Sequence, residues 1–277
     1  MKKFVMAVLG AVAFALGAAR AAQALQLTFF GEDVGPGDAV ISASGPLLSH
    51  PSADAAQADF LALLSGVRTE DFDGFPAGTL APLSVSFAQP SGTVTATLSG
   101  LLSAVRTENS VGLSVGQYPI SRPNYWSSQY LPPALSPFAF SLEFSAPQVA
   151  LGFFGVDIGD VGAQVSLELG LPGGGTLPQM SIPHTLGTET TTGGSVLYFG
   201  LINTDNPFTR VTFVSPTASD AFGFDNFSIA SANQVVSGPK VVPEPDTLVL
   251  VGSGLTIGAC ILRRWRHTRS RPASDCF

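Results

Sequence analysis

From residue 83 to residue 230, apolar side chains return at every second position in one run after another. Phe138, Phe140, Leu142 and Phe144 alternate with Ala139, Ser141 and Glu143, and Val165, Leu167 and Leu169 alternate with Ser166 and Glu168. Val211 and Phe213 alternate less cleanly with Arg210, Thr212 and Val214. Side chains of a strand point to opposite faces in turn, so this spacing predicts strands with one buried face. Further strands are expected at Leu83–Ala88, Thr93–Ser99, Val149–Val156, Val196–Ile202 and Phe222–Ala230. Turn sequences punctuate them: Pro90-Ser91-Gly92, Pro172-Gly173-Gly174-Gly175, Gly193-Gly194 and Asn206-Pro207. The pattern predicts a mainly β chain, an antiparallel β-sandwich of jelly-roll-like form with one short helix. The helix is expected at Ser52–Ser65, with Ser52 as N-cap, a stripe of Phe60, Leu61 and Leu64, and a stop at Gly66.

Charge is sparse and segregated. Between Leu25 and Pro245 there are 18 acidic against 5 basic residues, a net of −13. A body that acidic repels phosphate backbones, which argues against nucleic acid as a partner. The two cysteines, Cys260 and Cys276, both lie near the C-terminus. The middle of the chain therefore has no disulfide framework and no thiolate metal site.

Both ends differ from the middle. Met1–Ala24 places Lys2 and Lys3 before an uncharged apolar run, and Ala22 and Ala24 supply an A-x-A cleavage pattern; this reads as a signal peptide. At the other end Val242-Pro243-Glu244-Pro245 precedes sixteen uncharged residues, Thr247–Leu262, and then a basic cluster with Arg263, Arg264 and Arg266. An apolar helix of that length reaches about 24 Å, and flanking arginines can extend it toward the span of a bilayer. The basic tail, residues 263–277, is expected to stay cytoplasmic, with the middle facing outward.

That order of Pro-Glu-Pro, apolar helix and arginine cluster resembles the PEP-CTERM sorting signal. The resemblance implies that an exosortase recognises the signal at Pro243, Glu244, Pro245 and the Arg263–Arg266 cluster. It also implies that the body is released or transferred to the surface of a bacterium that makes exopolysaccharide. Ser219–Ile229, containing Phe222-Gly223-Phe224-Asp225-Asn226-Phe227, is similar to the last strand of the extracellular sandwich found in many such proteins, and Thr69–Phe75 to its early strand. The domain plan is then a signal peptide at 1–24, a sandwich at 25–230, a linker at 231–241 and the sorting signal at 242–277. The expected route is export through the Sec machinery, transient anchoring in the inner membrane, and delivery to the cell surface or medium.

Within the middle, catalysis finds little support. Gly112-Leu113-Ser114-Val115-Gly116 has the form of a hydrolase nucleophile elbow, but Pro119 and Pro123 forbid the helix that must follow. His50, His184 and His267 are scattered. No enzyme activity and no organic cofactor are expected. Two sets of residues remain as binding candidates. Glu70, Asp71 and Asp73 on an early strand and Asp225 on the last could supply oxygens to a structural calcium ion, and Asp157 with Asp160 is a second acidic pair. Tyr118, Tyr125, Trp126 and Tyr130 crowd a proline-containing stretch read as a loop, where rings could stack on sugars or pack over one end of the sandwich. The function expected is a non-catalytic binding or adhesive module associated with exopolysaccharide. The alternatives are a secreted polysaccharide hydrolase and a purely structural spacer.

Overall fold

A computed structural model describes residues 26–34, 46–107, 117–128, 138–159, 164–185, 195–215 and 221–236. Both terminal signals, the Gly112–Gly116 motif, Tyr130 and Asp160 lie outside the described residues. Among the described residues no helix is long and apolar enough to cross a membrane.

The fold is an antiparallel sandwich, as the alternation predicts. Strands run β1 (Gln26–Asp33), β2 (Thr69–Glu70), β3 (Leu83–Gln89), β4 (Gly92–Gly100), β5 (Ala104–Thr107), β6 (Asn124–Ser128) and β7 (Phe138–Gln148). They continue with β8 (Ala150–Val156), β9 (Ser166–Gly170), β10 (Met180–Ser181), β11 (Val196–Asn203), β12 (Phe208–Ser215) and β13 (Phe222–Ala230). One sheet has the order β1-β11-β8-β13-β6-β5, with β2 also pairing β13. The other has the order β10-β9-β12-β7-β4-β3. Between them lies a phenylalanine-rich core in which Phe140 stacks on Phe213 at 4.3 Å, and Phe153, Phe224 and Phe227 pack at their edges.

The two sheets differ on their outer faces. Every residue of β8 and β11 is buried, whereas β3 alternates buried and exposed along its whole length. A strand covered on both faces carries a continuous apolar run, and one covered on a single face alternates. The cover over β8 and β11 is α1 (Pro51–Ala62), which buries Ala53, Ala56 and Phe60. Phe60 and Leu64 are buried as expected from sequence, but Ala53 and Ala56 lead the stripe, Leu61 is only half-buried, and the N-cap is His50 rather than Ser52, with Pro51 in the first turn. The reason is close approach. A Cβ on Gly200 would come within 2.7 Å of the Phe60 ring, and one on Gly31 would collide with the backbone of Ser52. The first turn of α1 is fastened from outside, Ala53 donating its N–H to the Asp33 carboxylate at 2.9 Å.

The packed unit extends to Val236 rather than ending at Ala230. Residues 232–234 form a short 3₁₀ turn, and buried Gln234 donates to the carbonyls of Ser65 (3.3 Å) and Gly66 (3.0 Å).

Candidate functional site

Three of the four aromatic residues singled out by sequence, those among the described residues, are core residues. Tyr118, Tyr125 and Trp126 are 1%, 0% and 0% exposed. Residues 124–128 are not a loop but strand β6, buried throughout and paired to β13 through Phe222–Phe224. Pro123 sits just before the strand, where its missing N–H interrupts no ladder. Trp126 stacks on Phe72 with ring centres 6.0 Å apart. Tyr118 accepts the Leu47 N–H at 3.2 Å, and burial pushes its phenol above the ordinary range. None of these three rings is available to a ligand.

The carboxylates are structural fasteners. β2 does lie against β13, with Glu70 opposite Phe227, so the early and last strands adjoin as expected. Their acids turn to separate tasks. Glu70 accepts the Phe72 N–H at 2.8 Å, Asp71 accepts that of Asp73 at 3.1 Å, and Asp73 accepts that of Asn124 at 2.8 Å. Burial raises the Glu70 carboxyl, only partly offset by its bond from Phe72. Asp225 is fully buried and fixes the approach to β6. It accepts the N–H groups of Ile120 (2.8 Å), Ser121 (2.9 Å) and Asn226 (2.7 Å), together with the Ser121 hydroxyl (3.1 Å). Desolvation outweighs these bonds and holds its carboxyl well above the usual carboxylate range. Among the described residues no three His, Cys, Asp or Glu side chains converge where a metal ion could be held. The four carboxylates named for calcium are thus not brought together.

Unlike the sheet that α1 covers, the six-stranded sheet has nothing over its outer face among the described residues. Its registers line polar side chains up in rows across the strands. One row runs Gly170, Arg210, Glu143, Thr97, Ser84, and the next runs Glu168, Thr212, Ser141, Ser99. Beyond the first row, Ser145 accepts the Thr95 N–H at 2.9 Å, and Thr95 stands opposite Ser86. Arg210 and Glu143 form an open pair, Nε to Oε1 at 3.6 Å, with side chains 53% and 59% exposed.

Arg210 borders two shallow grooves. One, of about 500 Å³, is lined by apolar Ala81, Pro82 and Leu101 beside the polar Ser99, Ser141 and Thr212. The other, of about 420 Å³, lies between Glu143, Phe144 and Thr209 and the loop Gly170–Thr176. That loop bends through Gly173, Gly174 and Gly175, all at positive φ. Donor, acceptor and hydroxyl groups thus alternate along a flat face flanked by apolar walls, an arrangement able to hydrogen-bond a neutral polyhydroxylated chain. The apolar half of the alternation marks the core. The polar half carried the signal for this face: Thr93, Thr95, Thr97 and Ser99 on β4, Ser84 and Ser86 on β3, and Ser141, Glu143 and Ser145 on β7.

No family model matches the chain, and no curated protein matches it. Among solved structures it is similar to the K2 cleaved adhesin domain of Lys-gingipain, with 13% identity and a TM-score of 0.38, over 60% of this chain and 98% of that one. It is also similar to TmCBM61, solved in complex with β-1,4-galactotriose, with 15% identity and a TM-score of 0.28, over 58% and 98% respectively. At that level of likeness neither structure assigns a ligand to this chain.

Proposed function

We propose that this chain is an exported bacterial surface protein whose sandwich is a non-catalytic module that binds a neutral, hydroxyl-rich polysaccharide on the outer face of β12, β7 and β4. The observation that carries the reading is the contrast between the two sheets. One is roofed by α1 and buried aromatics, while the other presents serine, threonine and the Arg210–Glu143 pair between two grooves. The polymer is neutral because Arg210 shares the face with Glu143 and Glu168, inside a body of net −13, so a polyanion meets repulsion. Glycan-array binding of the full chain tests it. Arg210→Ala should weaken binding to neutral glycans about tenfold, the effect of losing roughly 1.4 kcal/mol. Equal binding by wild type and variant, or capture of acidic glycans alone, would refute it.

The address belongs to the same reading. The basic and apolar N-terminal segment, residues 1–24, supports delivery by the Sec machinery, and the three-part C-terminal order supports a transient hold in the inner membrane through residues 247–262 and exosortase processing near Pro243-Glu244-Pro245. The prolines keep that stretch extended, the form a protease grips. Changing Pro243 and Pro245 to Ala should leave the sandwich's melting temperature unchanged while unprocessed chain accumulates in the inner membrane. Normal release of that double variant would remove the role of the motif.

A further inference from the structure

The four outermost strands of the two sheets are protected to very different degrees. β5 is covered by the preceding segment: Gly78 donates to the Val105 carbonyl at 2.8 Å, and Val105 donates to that of Thr79 at 2.9 Å. β10 is only two residues long. β1 ends in Glu32 and Asp33, and Glu32 is itself engaged by the Thr185 N–H at 2.7 Å. β3 has no such protection. Its seven residues, Leu-Ser-Val-Ser-Phe-Ala-Gln, include no charge and no proline, and its pairing with β4 runs without a bulge. Among the described residues nothing pairs with its outer edge. Natural sheets blunt exposed edges with lysine, proline, bulges or short length, and a long edge without these devices is a template for another strand.

We propose that β3 is the edge at which two copies of this chain pair antiparallel. The sequence of the strand is self-complementary in this arrangement. With Ser86 opposite Ser86 of the partner subunit, Val85 meets the partner's Phe87 and Ser84 meets the partner's Ala88. Buried positions then face buried positions, and exposed positions face exposed ones. The two six-stranded sheets become one continuous sheet with a single core side and a single polar side. Charge selects the same edge. Two bodies of net −13 repel over most of their surfaces, but β3 and β4 present no ionised side chain to each other's copy. Pairing here also joins the two polar outer faces edge to edge, so that a polymer could run from one to the other and gain from two attachments.

The test uses the full chain in its producing cells, with Cys260→Ser and Cys276→Ser removing the native thiols, and a short-span bismaleimide as probe. Ser86→Cys lies on the two-fold axis and should yield crosslinked dimer. Ser84→Cys and Ala88→Cys should each yield little alone and a strong dimer when combined in one chain. Ser86→Lys added to that double variant should abolish the dimer, because it sets like charges directly opposite each other on an exposed position. Ser145→Cys, exposed on the interior strand β7, reports random collision. The proposal is overturned if Ser86→Cys gives no dimer, if Ser145→Cys gives as much, or if Ser86→Lys leaves the double variant's dimer intact.

Discussion

Gly152 on β8 stands directly opposite Gly200 on β11, and together they form the floor on which the Phe60 ring of α1 rests. A side chain at either position enters space already filled: a Cβ on Gly152 would reach 2.7 Å from Phe60 and collide with the Tyr198 hydroxyl. Overpacking of this kind costs about 1–3 kcal/mol. Gly200→Ala should lower the melting temperature by several degrees, at roughly 2–4 °C per kcal/mol for a domain of this size. Phe60→Ala, which empties the same site, should cost about 3–5 kcal/mol. Thermal denaturation of both variants checks the pair. An unchanged Gly200→Ala would mean that α1 is not held closely against the sheet.

The Asp33 carboxylate caps the first turn of α1 from another element, accepting the N–H of Ala53, twenty residues later in the chain. Removing such a cap costs about 1 kcal/mol. Asp33→Ala should therefore destabilise modestly and should raise hydrogen exchange in the first turn of α1 ahead of the sheets. Uniform exchange across the domain would argue that Asp33 is not a local cap.

Asp225 gives a larger effect. Its loss leaves the N–H groups of Ile120, Ser121 and Asn226 without their acceptor in a buried site. At about 1–3 kcal/mol for each unmet group, Asp225→Ala should cost on the order of 3 kcal/mol or more. The near-ultraviolet signal of Tyr118, Tyr125 and Trp126, which pack along the same segment, should weaken with it. Denaturant titration with circular dichroism reads both. A loss below about 1 kcal/mol would show that the segment is held by packing alone.

The pH dependence follows from the same carboxyl. Burial raises Asp225 well above its ordinary value and raises Glu70 in the same direction. Native protein therefore keeps protons that the unfolded chain has already lost. Stability contributed by these two groups is full below the unfolded value of about 4 and falls as pH rises toward the folded values. Denaturation at stepped pH should show that descent, and Asp225→Asn should flatten it. Stability that rises with pH across this window would mean that the four donors, not desolvation, set the protonation of Asp225.

Much of this architecture is legible in the sequence because alternation records which faces are covered. β3, β4, β7, β9 and β13 stand where the apolar spacing places them. β6 does not declare itself. Asn-Tyr-Trp-Ser-Ser after a proline reads locally as a polar loop, yet Ser127 donates to Gln117 at 2.7 Å and Ser128 donates to the Phe222 carbonyl at 3.2 Å. Those partners make burial of the serines tolerable, and they lie elsewhere in the chain. The same distance hides the roles of Tyr118 and Trp126, whose rings look equally suited to a surface or a core until Phe72 and Leu47 are placed beside them. The helix stripe misleads for a related reason: leucines mark an ordinary helix face, but a bed of glycines selects alanines. The polar outer face is in view as the polar half of the alternation, and only the register across five strands shows that its residues align.

Protection of Arg210 tests the proposed polysaccharide-binding face most directly. The full chain is treated with an arginine-selective dicarbonyl reagent, with and without neutral exopolysaccharide from its host, and modification is read by peptide mass spectrometry. Arg122, exposed and on the segment tied to the opposite sheet by Asp225, is the internal reference. Polysaccharide should slow modification of Arg210 severalfold and leave Arg122 unchanged. Equal rates at Arg210 with and without polymer, or protection of Arg122 in its place, would rule out binding on this face.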